Sequence, residues 1–248
     1  MTAILQTSLP YDLSARALPG IQPLPPDGWL TRDEAFAAQM ARRDQLLRAR
    51  PQAVLAMDPA ALPAAQELLA EVLALAYPGA GDTVQRPDGV RVRLDWDQPM
   101  RTLGHLVQED LCLLQKRGDE HVLTAAVLCF PASWRLSEKF MQPLTGIHVP
   151  VASYDAQIAK RVQRLFDGVQ VGRPLWRFNA LWYDDPELFQ PRSVQAPRPE
   201  MPRDQAAYLR SEKQAILRLP RCRDVVFSIH SYVLDRAHAA VALKRSAV

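Results

Sequence analysis

Proline, more than any other residue, limits what this chain can fold into. The 248 residues hold 21 prolines and only 10 glycines, against average usages of about 5% and about 7%. Each proline ring fixes φ, removes an N–H donor and pushes the preceding residue out of the helical region. Helices are therefore confined to the intervals between prolines, and many segments are pinned as strands, arms or turns. Pro10, Pro19, Pro23, Pro25 and Pro26 break up residues 1–30, where Leu18, Ile21, Leu24, Trp29 and Leu30 predict an extended arm packed on the body. Pro191, Pro197, Pro199 and Pro202 predict a loop or strap over 190–203.

Periodicity fills the intervals. Thr31 and Glu34 have the spacing of a capping box, which predicts a helix over 31–50 ended by Pro51. Asp58-Pro59 is an N-cap with Pro at the first helical position, opening an apolar helix that stops at Pro78-Gly79. Residues 79–89 read as turns, and Val90–Trp96 alternates as a half-buried strand. The apolar runs Leu111–Gln115 and Val122–Phe130, separated by a polar turn, predict a hairpin. A broken helical stretch over 135–146, a helix over 154–166, a strand over 175–183, a helix over 204–219 capped by Asp204, a strand over 225–234 and a short Ala-rich tail helix complete the order. This order predicts an α+β fold, an antiparallel sheet with helices on one side. An N-terminal arm and helices over 1–80 are expected to pack on a core of 81–248 in one compact unit.

Composition excludes several classes. Hydrophobic residues make 48% and charged residues 23% of the chain, and the formal charge is +3. That balance suits a globular fold and gives no electrostatic grip on nucleic acid. Cys112, Cys129 and Cys222 form no CxxC pair, which argues against a disulfide framework or a Cys-rich zinc site. No secretory signal and no apolar run of about 20 residues is read, so a cytoplasmic, membrane-free setting is the expectation. Dinucleotide, Walker, GxSxG and HExxH motifs are absent from the sequence.

The candidate chemistry rests on a few side chains. His148 is flanked by apolar residues and by Pro150; a neutral imidazole held in such a place suits an axial iron ligand, and a satisfied core histidine is the competing reading. His121 and His238 are expected in solvent, and His230 faces either a pocket or water. Glu138 and Lys139 read as a solvated helix face. Arg210, Glu212, Lys213, Arg218, Arg221 and Arg223 read as a charged helix and its end, with anion binding as the functional alternative. Asp184-Asp185 before Pro186 caps a turn.

A resemblance adds to this. The stretch from Cys129 to Lys139 (CFPASWRLSEK), then Pro143-Leu144 and Ile147–Val151, is similar to the most recognisable part of a family that includes the haem-binding alpha subunit of haem-dependent oxidative N-demethylase. Gly20–Leu30, Leu106–Leu114 (LVQEDLCLL), Pro174–Asn179, Asp184–Phe189, Leu209–Gln214, Leu217–Pro220 and Val226–Ile229 resemble further blocks in the same order. The resemblance implies a PAS-like haem domain with b-type haem and molecular oxygen as co-substrate. It implies that a small amine loses a methyl group as formaldehyde, with electrons from NADPH through separate flavin and iron–sulfur reductase subunits. His148 is then the iron ligand, and Lys139, Arg210 and Arg218 serve the haem propionates or the distal pocket. Glu212 and Trp176 are the candidates for amine recognition, as carboxylate and aromatic wall. A PAS-type sensor without turnover, a haem-free binding protein and an oligomer are the other expectations the sequence leaves open.

Overall fold

The computed structural model describes residues 3–13, 20–148, 156–196 and 202–245. The elements run β1 (Gln22–Pro23), α1 (Phe36–Ala49), α2 (Pro51–Val54), β2 (Leu55–Met57), a 3-10 turn (Pro59–Ala61), α3 (Leu62–Ala76), β3 (Thr83–Gln85), β4 (Arg91–Arg93) and α4 (Pro99–Leu106). They continue with β5 (Asp110–Arg117), β6 (Glu120–Val127), α5 (Leu136–Lys139), α6 (Leu144–His148), α7 (Ala156–Gly168), β7 (Leu175–Tyr183), β8 (Tyr208–Arg218), β9 (Val225–Asp235) and α8 (Arg236–Arg245). Seven strands form one sheet in the order β1-β7-β8-β9-β5-β6-β2, and β3 pairs with β4 apart from it. Every pairing in the large sheet is antiparallel. The α+β reading holds, as do the hairpin β5–β6 and the strands β7 and β9.

Three readings are corrected. Residues 208–218 are the strand β8, not a helix: they pair with β7 from Tyr183↔Tyr208 to Leu175↔Ile216, and with β9 from Tyr208↔Asp235 to Arg218↔Val225. Two flanking ladders outweigh the helical propensity of Arg, Glu, Lys and Gln. The Thr31–Glu34 capping box does not form. Glu34 accepts from the Thr7 N–H (2.7 Å) and hydroxyl (2.8 Å), and helix α1 starts later, behind an Asp33 side chain that accepts from the Ala35 N–H (3.0 Å). Helices also cover both sides of the sheet rather than one. Leu111, Leu113 and Val127 pack with α1, α3 and α4, whereas Cys112, Leu114 and Ala126 pack with Leu136, Leu144 and Phe166 of α5, α6 and α7. Alternation along a strand makes these opposite faces. The N-terminal helix side is called face N below, and the α5–α7 side face C.

The stretch Pro59–Ala76 is apolar and long enough to cross a bilayer by composition alone. Its Ala61, Ala65, Leu68, Leu69 and Val72 are fully buried in the face N core, as in the central helix of a globular domain. The Asp58 cap is present, with its carboxylate accepting from the Ala60 N–H at 3.2 Å. Beside this core, Arg43 is fully buried and its Nη1 lies 2.6 Å from Asp110 Oδ1. Asp110 also accepts from the N–H groups of Cys129 (2.7 Å) and Phe130 (2.8 Å). The pair ties α1 to the start of β5 and to the chain leaving β6.

Gly104 of α4 lets helix and sheet meet. A Cβ there would lie 2.8 Å from Val127 Cγ2 and 3.0 Å from Leu47 Cδ1. Gly104→Ala is expected to destabilise the fold by about 1–3 kcal/mol through overpacking, measured as a lower denaturant midpoint; an unchanged midpoint contradicts this packing.

Candidate functional site

Strand β8 sends polar side chains to both faces. In an antiparallel ladder, directly opposed residues share a face. Asn179 of β7, Glu212 of β8 and Ser231 of β9 are opposed and lie on face C, while Lys213 and His230, also opposed, lie on face N.

On face C, Glu212 is 6% exposed. Its Oε2 accepts from Asn179 Nδ2 (3.0 Å) and Gln214 Nε2 (3.1 Å), and its own N–H donates to Asn179 Oδ1 (3.2 Å). Its Oε1 lies 3.7 Å from an Arg210 Nη2. Arg210, 2% exposed, donates Nη1 to the Leu188 carbonyl (3.0 Å) and Nη2 to the Phe130 carbonyl (2.6 Å). Its Nε has no partner, and neither does the Ser133 hydroxyl. These groups line a cavity of about 260 Å³ together with Ala132, Leu181 and Tyr183. Ser133 holds φ at 68°, a left-handed conformation that costs a non-glycine residue roughly 1–3 kcal/mol. Its N–H donates to Gln190 O (3.1 Å), locking the loop after β6 to the chain after β7. Next along the same face, Arg177 is opposed to Gln214, and its buried Nε also lacks a partner.

On face N, His230 is 1% exposed. Its Nδ1 lies 3.0 Å from Glu109 Oε1 and its Nε2 lies 3.2 Å from Asp33 Oδ2. Two carboxylate acceptors keep both ring protons in place. Burial alone would pull this imidazole down; the bonds to Asp33 and Glu109 outweigh it and hold the pKa above the ordinary 6.5. Burial likewise raises Asp33, but His230 and the amides of Gln108 and Gln6 bring it to about 2 from 3.8. Thr31 N–H donates to Glu109 Oε1 (2.7 Å), and Lys213 Nζ reaches the Gly28 carbonyl and Thr31 Oγ1. The cluster thus latches the N-terminal segment onto β8 and β9.

The sequence-predicted residues divide accordingly. Glu212 and Arg210 come together at the cavity. Trp176 does not join them: three positions from Asn179, it lies on the opposite face, 5.5 Å from the Tyr11 ring. Arg218, expected at a propionate or the distal pocket, caps a helix, with Nε on the Val169 carbonyl (2.7 Å) and Nη2 on the Phe166 carbonyl (2.7 Å), at the end of α7. Lys139 is 5% exposed rather than solvated, and its ammonium holds the Ile147 carbonyl in α6. Residue 148 closes α6, and the side chain of His148 lies outside the described residues. His121 is also corrected: it is 2% exposed, with Nδ1 2.9 Å from Gln163 Nε2. Asn179, Gln214, Ser133 and Arg177 were missed. The alternation Arg210-x-Glu212-x-Gln214 marks them only once β8 is read as a strand.

The arrangement is that of an α+β protein with a buried carboxylate and unsatisfied donors around a small pocket on one sheet face. A family model described as haem-dependent oxidative N-demethylase, alpha subunit-like, matches residues 20–240. The chain belongs to that family.

The 260 Å³ cavity is smaller than the roughly 300–1,000 Å³ of drug-sized sites, so a tetrapyrrole does not lie in it. Beside it on face C, β7 presents half-buried Leu175, Arg177 and Asn179, next to partly buried Phe227 of β9, and Arg177 Nε has no partner. Leu175 and Phe227 give an apolar surface with a half-buried guanidinium beside it, a combination that suits a planar, apolar ring bearing carboxylates. Among the described histidines, His230 has both nitrogens facing carboxylates, and Nδ1 of His105 faces Asp44 at 2.6 Å.

The face N cluster predicts two pH limits. Asp33, with a depressed pKa, contributes stability above pH 3.8 that is lost as pH falls toward 2. His230, with a raised pKa, contributes stability below pH 6.5 that is lost as pH rises through its folded value. His230→Gln leaves two buried carboxylates facing an amide, an expected loss of about 3–5 kcal/mol. In denaturant titrations across pH, the variant is expected to lose the alkaline decline; a decline identical to the native protein's contradicts the assignment.

Proposed function

We propose that this chain is the haem-holding, oxygen-activating subunit of an enzyme that removes a methyl group from a small amine, with electrons from a separate NADPH-dependent flavin and iron–sulfur reductase. The observation that carries the reading is Glu212. A carboxylate that lines a small cavity, with Oε2 held by two amides and Oε1 left without a close hydrogen bond, is an acceptor for an ammonium N–H. Membership of a family described by oxidative N-demethylation supports it. So does the five-strand order β7-β8-β9-β5-β6, with the hairpin first, helices α5–α7 next and three strands after. That order fits a PAS-like core, the fold proposed here.

In this reading His148, at the end of α6, ligates the iron of b-type haem, and Arg177 rather than Arg218 serves a propionate. Bound haem supplies activation of molecular oxygen, chemistry that belongs to the cofactor. The protein supplies the rest. Lys139 fixes the α6 carbonyl beside His148. Asn179 and Gln214 hold the Glu212 carboxylate in one orientation, so that an amine nitrogen is bound at a fixed place and its methyl group directed along the face C surface of β7. Leu181 and Tyr183 present apolar surface to the rest of the substrate.

The test is a visible spectrum of the purified chain, followed by oxygen uptake and formaldehyde release with a reductase. A haem Soret band that His148→Ala alters or abolishes is expected, together with turnover of an N-methylamine. Glu212→Gln is expected to lower kcat/KM by about 10–100-fold, the loss of one charged hydrogen bond. Reversible ligand binding with no turnover contradicts the enzyme reading and favours a sensor; a variant spectrum identical to the native one contradicts the ligand.

A further inference from the structure

We propose that the face C cavity selects a small zwitterion, an N-methylated amino acid, over a simple alkylamine. The inference rests on the amine-oxidising reading above and names its substrate class. A bare ammonium needs only the Glu212 acceptor. The same cavity is lined by two further polar groups, Arg210 and Ser133, whose Nε and Oγ have no partner. A buried donor left unmade costs about 1–3 kcal/mol, so two of them beside one pocket point to a ligand that brings acceptor atoms. A carboxylate brings two.

Charge leads to the same class. Arg210 and Glu212, 3.7 Å apart, form a pair of opposite charges with both side chains almost fully buried. A lone cation entering there adds an uncompensated charge beside a guanidinium, which is costly in a buried site. A zwitterion adds none: its ammonium faces Glu212 Oε1 and its carboxylate faces Arg210 Nε and the Ser133 hydroxyl. Opposite charges one carbon apart on the ligand match opposite charges a few ångströms apart on the wall.

Size and shape narrow it further. The cavity of about 260 Å³ has room for several waters at about 30 Å³ each, hence for a molecule of few heavy atoms. Ala132, Leu181 and Tyr183 give the methyl group an apolar wall. Ser133 is held strained at φ 68° by its bond to Gln190, and this places its hydroxyl at the cavity without a protein partner. Strain of this kind collects at ligand clamps.

Calorimetric titration of the purified chain tests this without turnover. The probes are N-methylglycine and N-methylisobutylamine, in which an isopropyl group replaces the carboxylate. N-methylglycine is expected to bind at least about tenfold more tightly, the effect of one or two hydrogen bonds to charged groups. Because Arg210 also holds two backbone carbonyls, the variant of choice is Ser133→Ala, checked for unchanged thermal melting. It is expected to weaken N-methylglycine by about threefold to tenfold and to leave the amine unchanged, while Glu212→Gln weakens both. Equal or tighter binding of the amine overturns the zwitterion and leaves the amine reading standing. No binding of either probe overturns both. A Ser133→Ala loss shared equally by the two probes, or absent for N-methylglycine, overturns the assignment of the carboxylate.

Discussion

Strand β8 carries charge to both sides of a sheet that is covered on both sides, and burial requires each of those charges to find a partner. Glu212 meets Asn179, Gln214 and Arg210 on one face; Lys213 meets Gly28 and Thr31 on the other, next to His230 between Asp33 and Glu109. A register slip of one residue exchanges the two sets. Glu212 would then face the N-terminal latch and Lys213 the cavity, and neither would find its counter-groups. Pairing of buried charge therefore fixes the register of β8, and the register places the cavity.

The two faces divide the work. Face N is closed by the arm and by α1, α3 and α4; His230 is held by two carboxylates there, although Glu109 Oε2 and the Tyr232 hydroxyl have no partner. Face C is less complete. Its strip on β7 stays half-buried, Leu181 is 52% exposed, and Ser133, Arg177 and Arg210 keep polar atoms without partners. What sets face C apart is that the unpartnered Ser133 and Arg210 atoms belong to residues lining a cavity, where a ligand can satisfy them. Arg210 joins the site to the scaffold, because the carbonyls it holds belong to the chain leaving β6 and to the chain after β7.

Much of the fold was legible in the sequence. The hairpin β5–β6 and the strands β7 and β9 show their period or their apolar runs, and Asp58-Pro59 marks its helix. The unbroken apolar run Leu111–Leu114 already carried the sign of a strand covered on both sides, which the one-sided expectation overlooked. Strand β8 was not legible, because Arg, Glu, Lys and Gln favour helices when exposed and only their tertiary partners make them a strand. Thr31 and Glu34 failed as a capping box for the same reason: Thr31 accepts from Lys213 and Glu34 from Thr7. Glu212 and Arg210 could be chosen from chemistry and the family resemblance. Ser133 could not, since neither its positive φ nor its unpartnered hydroxyl leaves a trace in residue order. Helix α4 went unread although Pro99 stands at its first turn.

A crystal structure of the purified chain grown with an N-methylated amine tests the central claim most directly. The account predicts haem on face C and the amine nitrogen within hydrogen-bonding distance of Glu212 Oε1. Haem on the His230 side of the sheet, or an amine bound away from Glu212, would contradict it.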